Sequence, residues 1–163
     1  LVESVRQALR QAGLEGRQLK LEITESVVMH NAERATQTLA ELKALGVGVA
    51  VDDFGTGYSS LAYLRRFPID QLKIDRSFVQ DATVHPDSAA IVHSIIGLAR
   101  NLRMQTVAEG VETTEQADFL LRRGCNTMQG FLFAKPMPQK EFEALLLAGM
   151  DMGDMQAVFM VEC

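Results

Sequence analysis

The chain has 163 residues, a length that fits one domain and leaves no room for a second. Sixteen basic and twenty-one acidic side chains give a net charge of −5, which argues against binding of a nucleic-acid polymer through phosphate neutralisation. Apolar residues make up 47% of the sequence, enough for a sizeable core, and no run is long enough to insert into a membrane. Cys125 and Cys163 form no pairing pattern, which is typical of a cytoplasmic protein.

In the first half of the chain, short β-branched runs alternate with segments of helical periodicity. Residues 18–23 are predicted as a strand, and Asn31 precedes a helix that ends near Gly46. Residues 46–51 form a second strand, whose almost wholly apolar sequence is typical of a parallel sheet covered on both faces. The glycine-rich loop FGTGYSS leads into a short helix, at about residues 59–66.

The second half repeats the alternation. Its predicted elements are strands at 71–74, 105–108 and 127–129 and helices beginning at Pro86, at the capping-box pair Thr113 and Gln116, and at Pro138. The last helix runs to about residue 147, and residues 148–163 form a tail without a predicted structure. Five strand–helix repeats predict a parallel α/β fold.

Polar side chains stand at the carboxyl end of every predicted strand. They are Glu22 and Glu25, Asp52 and Asp53, Lys73 and Asp75, Glu109 and Glu112, and Gln129. Because ligands gather at the carboxyl ends of strands in parallel α/β folds, we expect one shared site. Asp52 and Asp53 face opposite ways in a regular strand, so both enter that site only if the chain turns, and Gly55 and Gly57 make such a turn plausible.

The chemistry of these side chains indicates a metal site. Clustered carboxylates need cations to remain ionised, and one lysine is too few. Oxygen ligands without histidine or thiolate favour Mg²⁺ or Mn²⁺, and this combination suits phosphate-ester hydrolysis with two metal ions. Asp53-Phe54-Gly55 also spells a kinase motif, but the HRD and VAIK motifs are absent, and the glycine loop lacks the GK[ST] ending of a P-loop.

Five segments, in order, resemble the EAL domain of cyclic-di-GMP phosphodiesterases. They are LEITE (21–25), DDFGTGYSS (52–60), LKID (72–75), VAEGVE (107–112) and MQGF (128–131). The resemblance covers roughly residues 1–147. It implies a modified (β/α)8 TIM-like barrel that hydrolyses cyclic di-GMP to linear pGpG with two Mg²⁺ or Mn²⁺ ions.

The resemblance also implies a role for each matching residue. The metal ligands would be Glu22, Asp52, Asp53 and Glu109, the last two also serving catalysis, while Lys73 would orient the attacking water and Gln129 would hydrogen-bond within the site. The supporting residues would be Glu25, Glu112 and Asp75, with Glu25 holding the loop formed by Phe54, Gly55, Thr56, Gly57, Tyr58 and Ser59. In the family this loop couples homodimerisation to the active site.

The family's naming motif and a metal-binding asparagine belong on an earlier strand, and neither is in this sequence. A (β/α)8 barrel takes about 250 residues, and about five strand–helix units cannot close one. We therefore expect residues 1–147 to be a partial EAL domain of a longer protein and to have little activity alone. A diguanylate-cyclase or sensory domain upstream is common in the family. The alternative is an inactive EAL-type module that acts as a cyclic-di-GMP receptor or binds another protein.

Overall fold

The computed structural model describes residues 1–57, 61–148 and 156–157. The helices are α1 (Val2–Ala12), α2 (Glu25–His30), α3 (Ala32–Ala44), α4 (Leu61–Leu64), α5 (Arg76–Asp81), α6 (Pro86–Asn101), α7 (Thr114–Leu121) and α8 (Gln139–Ala148). The strands are β1 (Lys20–Thr24), β2 (Gly48–Phe54), β3 (Gln71–Ile74), β4 (Gln105–Ala108), β5 (Thr127–Met128) and β6 (Gln156–Ala157). Within these ranges, no helix has the length and apolar character needed to cross a membrane.

The chain forms two compact units. The first unit contains residues 1–73 and 98–105, with the strand order β1-β2-β3. Strands β1 and β2 are parallel and pair from Lys20 opposite Gly48 to Thr24 opposite Asp52. Three consecutive residues of β2, at positions 49–51, are buried, so this strand is covered on both faces as its sequence predicts.

The second unit contains residues 74–97 and the chain from residue 106 onward. The amide of Glu109 donates to the carbonyl of Ile74, and β4, β5 and β6 follow as parallel neighbours. Its core includes apolar side chains that are 3% exposed or less: Ile74, Val79, Val92, Val107, Val111, Leu120 and Met128. Parallel strands alternating with helices confirm the predicted α/β class.

Several helix boundaries lie where local sequence signals predict them. The side chain of Asn31 accepts a hydrogen bond from the amide of Arg34 and caps α3. Thr113 and Gln116 form the predicted capping box at the start of α7. Helix α6 begins at Pro86, where the missing amide hydrogen costs no helical hydrogen bond.

Other elements differ from the sequence predictions. Helices α2 and α5 are short additions directly after β1 and β3, too short to show an amphipathic period. Strand β2 extends to Phe54, three residues beyond its predicted end. Strand β6 lies in the segment for which no structure was predicted and pairs with β5. The remaining tail residues lie outside the described ranges.

Candidate metal and phosphodiesterase site

The carboxylates of Asp52 and Asp53 come together at the end of β2. Their oxygens lie within 4.8 Å of each other, although consecutive strand residues normally face opposite ways. Asp53 has φ of 53°, in the left-handed region that few residues other than glycine adopt, and Gly55 follows with φ of 102°. The chain therefore turns as the sequence predicts, with Asp53 itself taking the strained conformation, at a cost of about 1–3 kcal/mol.

Lys73 connects this aspartate pair to β1. Its side chain is 6% exposed, and its ammonium donates to Glu22 Oε2 at 2.6 Å and lies 2.9 Å from Asp52 Oδ1. Among the described residues, the buried Asp52 Oδ1 has no hydrogen bond of acceptable geometry, so its contact with Lys73 is an ion pair rather than a hydrogen bond. Ala50 pairs with Glu22 in the register of β1 and β2.

Glu25 fastens the loop that follows Asp53. It begins α2, is 3% exposed, and accepts a hydrogen bond from the amide of Gly55 at 3.1 Å. A Cβ atom on Gly57 would lie 3.2 Å from a Glu25 oxygen, so glycine permits this close approach. Phe54 is buried, and the hydroxyl of Thr56 donates to the carbonyl of Asp53. Tyr58 and Ser59, also predicted for this loop, lie outside the described residues.

The remaining site residues lie in the second unit. Glu109 directly follows β4, and Gln129 directly follows β5. The amide of Gln129 donates to Ala108, and its carbonyl accepts from Val111 at 3.0 Å. Gly130 is packed so closely that a Cβ atom there would lie 2.1 Å from the carbonyl oxygen of Val111. Backbone contacts therefore fix the position of the predicted glutamine.

Two of the predicted supporting residues hold local structure. Asp75 caps α5 by accepting from the amide and hydroxyl of Ser77. Glu112 accepts a hydrogen bond from the Gln80 side chain at 3.2 Å, and its amide donates to the buried side chain of Gln116. Sequence reasoning missed Gln80 and the loop contact of Gln116. The Asp75–Ser77 spacing is a capping signal that could have revealed α5.

The chemistry of these side chains fits a hard divalent cation. Asp52 and Asp53 offer carboxylate oxygens close enough to bind one ion, and Glu22 offers another oxygen within reach of Lys73. Mg²⁺ and Mn²⁺ prefer ligands of this type. These features define an α/β protein with an acidic site at the carboxyl ends of its strands, next to a buried lysine.

Comparison with known proteins identifies the family. The EAL domain model matches residues 1–136, so the chain belongs to the EAL domain family. Over 144 residues it is 51% identical to the bifunctional diguanylate cyclase/cyclic di-GMP phosphodiesterase MucR of Pseudomonas aeruginosa, covering 88% of this chain and 21% of MucR. The cyclic di-GMP phosphodiesterase NbdA of the same organism is 48% identical over 148 residues, covering 91% of this chain and 19% of NbdA.

Solved structures give the same answer. A MucR phosphodiesterase–c-di-GMP complex superposes with a TM-score of 0.85 at 51% identity, covering 87% of this chain and 57% of that one. The Klebsiella pneumoniae BlrP1 manganese/cyclic-di-GMP complex gives a TM-score of 0.76 at 37% identity, covering 82% and 34%. These similarities confirm the EAL-type fold. The chain spans about a fifth of the length of MucR and NbdA.

Proposed function

We propose that this chain carries the catalytic residues of a metal-dependent phosphodiesterase that hydrolyses cyclic di-GMP to linear pGpG. The observation that carries the proposal is the Asp52–Asp53 pair, held by a left-handed backbone beside the buried Lys73. The similarity to MucR and NbdA, both named as phosphodiesterases of this dinucleotide, supports the substrate. The manganese-bound BlrP1 complex supports a divalent cation.

In this proposal, Glu22, Asp52, Asp53 and Glu109 hold two Mg²⁺ or Mn²⁺ ions. When bound, such ions polarise the phosphate and lower the pKa of a coordinated water. The ionised carboxylates can only accept hydrogen bonds, so a hydrogen atom of the attacking water would point toward them and its oxygen toward the phosphorus. A four-carboxylate set balances the charge of two divalent ions, and the phosphodiester then adds one negative charge next to Lys73.

Lys73 is proposed to orient the water and to offset the phosphate charge. Its ammonium has three donors, and burial strengthens its electrostatic interactions by excluding solvent. The water oxygen bonds to phosphorus as the bond to the 3′-oxygen breaks. The attacking water releases one proton to a carboxylate, and the departing oxygen takes up one proton to become the 3′-hydroxyl of pGpG, so no net proton is consumed in this exchange. Gln129, set by the Ala108 and Val111 contacts, is proposed to hydrogen-bond within the site.

The test uses the complete protein that carries this sequence. Incubation with cyclic di-GMP and Mg²⁺ or Mn²⁺, followed by chromatography, should reveal pGpG, and Asp52→Asn should remove that product. Lys43→Met is a matched control because Lys43 pairs with Asp70, away from the carboxylate pair, and it should retain turnover. Binding of cyclic di-GMP without turnover under either metal would contradict the proposal and favour the receptor alternative.

We also propose that the protein acts in the cytoplasm and forms a homodimer through the loop after Asp53. The hydrogen bond from the Gly55 amide to Glu25 supports a coupling of this loop to the site, because it ties the loop to a residue that directly follows β1. Sedimentation of the complete protein with and without Mn²⁺ should reveal a dimer. Glu25→Ala should weaken it, and an unchanged sedimentation profile would contradict the role of the loop.

A further inference from the structure

The loop at residues 109–113, which carries Glu109 and Glu112, is held by hydrogen bonds at nearly every residue. Its first amide donates to Ile74, and Val111 is fixed on both sides, because its amide donates to Gln129 and its carbonyl accepts from Leu132. The loop is therefore attached to β3 at one end and to the segment after β5 in its middle.

At the end of the loop, the contacts come from one side chain. Gln116 accepts hydrogen bonds from the amide of Thr113 at 3.1 Å and from the amide of Glu112 at 2.8 Å. A capping box accounts for the first of these bonds only. The second, which is shorter, reaches past the helix into the loop, so Gln116 supports loop backbone that lies outside α7.

Gln116 also joins the loop to α5. The side-chain amide of Gln116 donates to the backbone carbonyl of Gln80, and the side-chain amide of Gln80 donates to the carboxylate of Glu112. Gln80, Glu112 and Gln116 thus form a closed ring of hydrogen bonds. Gln116 itself is 7% exposed, so water has little access to the side-chain atoms that make these contacts.

We propose that Gln116 is a positioning residue that sets the 109–113 loop, and through it the carboxylate of Glu109, for metal binding. This inference rests on the proposed function, in which Glu109 is a metal ligand. Supporting residues beyond the ligands typically change metal affinity by 10–100-fold when they are replaced. Because Gln116 acts through the backbone, we expect an effect at the lower end of that range.

The experiment measures the Kd of Mn²⁺ by calorimetry on the complete protein, well below its melting temperature. Gln116→Leu, which removes both acceptor and donor, should weaken Mn²⁺ binding about 10-fold. Gln116→Asn, whose shorter side chain cannot reach both amides, should shift the Kd in the same direction and provides the test if the leucine variant does not fold. Gln116→Glu keeps an acceptor for the two loop amides, so it should bind Mn²⁺ more tightly than Gln116→Leu does.

Thr113→Val separates positioning from helix stability. This substitution removes the hydroxyl that accepts a hydrogen bond from the backbone amide of Gln116, which should lower stability by about 1 kcal/mol. The side chain of Gln116 keeps its own contacts with the loop. Its Mn²⁺ affinity should stay within about twofold of wild type, a change of about 0.4 kcal/mol.

Two outcomes overturn the inference alone: wild-type affinity in the folded Gln116→Leu and Gln116→Asn variants, or weakening in Thr113→Val equal to that in Gln116→Leu. A wild-type protein that binds no Mn²⁺ overturns the inference together with the proposed function.

Discussion

Replacing Lys73 with methionine tests how strongly the lysine stabilises the site. Methionine keeps an unbranched chain in the buried space but removes the ammonium that contacts Glu22 and Asp52. Breaking a fully buried ion pair costs about 3–5 kcal/mol, whereas an exposed pair contributes about 0–1 kcal/mol. The Lys73 side chain is 6% exposed, but its partners are 48% and 26% exposed, so we expect a loss of about 2 kcal/mol.

The assay is thermal unfolding, with Lys43→Met as the control. A loss of about 2 kcal/mol lowers the melting temperature of a domain of this size by about 4–8 °C. The Lys43–Asp70 pair is 32% and 41% exposed, so its loss should cost less than about 1 kcal/mol. Mn²⁺ should recover more of the melting temperature in Lys73→Met than in Lys43→Met, because a bound cation replaces the lost charge beside Asp52. Equal stability of Lys73→Met and wild type would refute this reasoning.

Three further predictions follow from buried contacts. Glu25→Ala should speed hydrogen exchange at the Gly55 amide and lower the free energy of unfolding by about 1–3 kcal/mol. Glu25→Gln keeps an acceptor, so both effects should be smaller in that variant. Gly130→Ala should cost about 3 kcal/mol in chemical denaturation because its Cβ meets backbone, whereas Gly97→Ala, with open space inside α6, should stabilise by about 0.5–1 kcal/mol. Burial raises the pKa of the Cys125 thiol, so stability present at neutral pH should fall above about pH 8.5, and Cys125→Ala should reduce that fall in pH-dependent melting.

Sequence alone predicted the features that depend on local signals. Strands β3 and β4 have the predicted bounds, since both are short segments with β-branched residues that lie between clear breaks. Asn31 caps α3 because its side chain needs only the amide three residues ahead. Placing the acids after the strands was equally local, because it required only the strand ends and the order of the chain.

Features that depend on tertiary contacts were not predictable in the same way. The turn at Asp53 was expected from its neighbouring glycines, but the aspartate itself adopts the left-handed φ. Pattern rules assign such a conformation to glycine by default, and only packing around the site can offset its cost. The hydrogen bond from the Glu112 amide to the Gln116 side chain depends on the path of the loop at residues 109–113. Capping rules do not describe that path.

Contacts within each compact unit orient individual acids of the predicted site. Asp53 is oriented by its own strained φ, Glu25 is fixed by the Gly55 amide, and Glu112 is held by Gln80. None of these three contacts requires a cation, so protein contacts orient the carboxylates before any ion binds. Such preorganisation reduces the reorganisation that binding requires. The seven acids at the strand ends and Lys73 together carry a charge of −6, whereas the whole chain carries −5. The rest of the chain is therefore close to neutral, and the negative charge resides at the carboxyl ends of the strands.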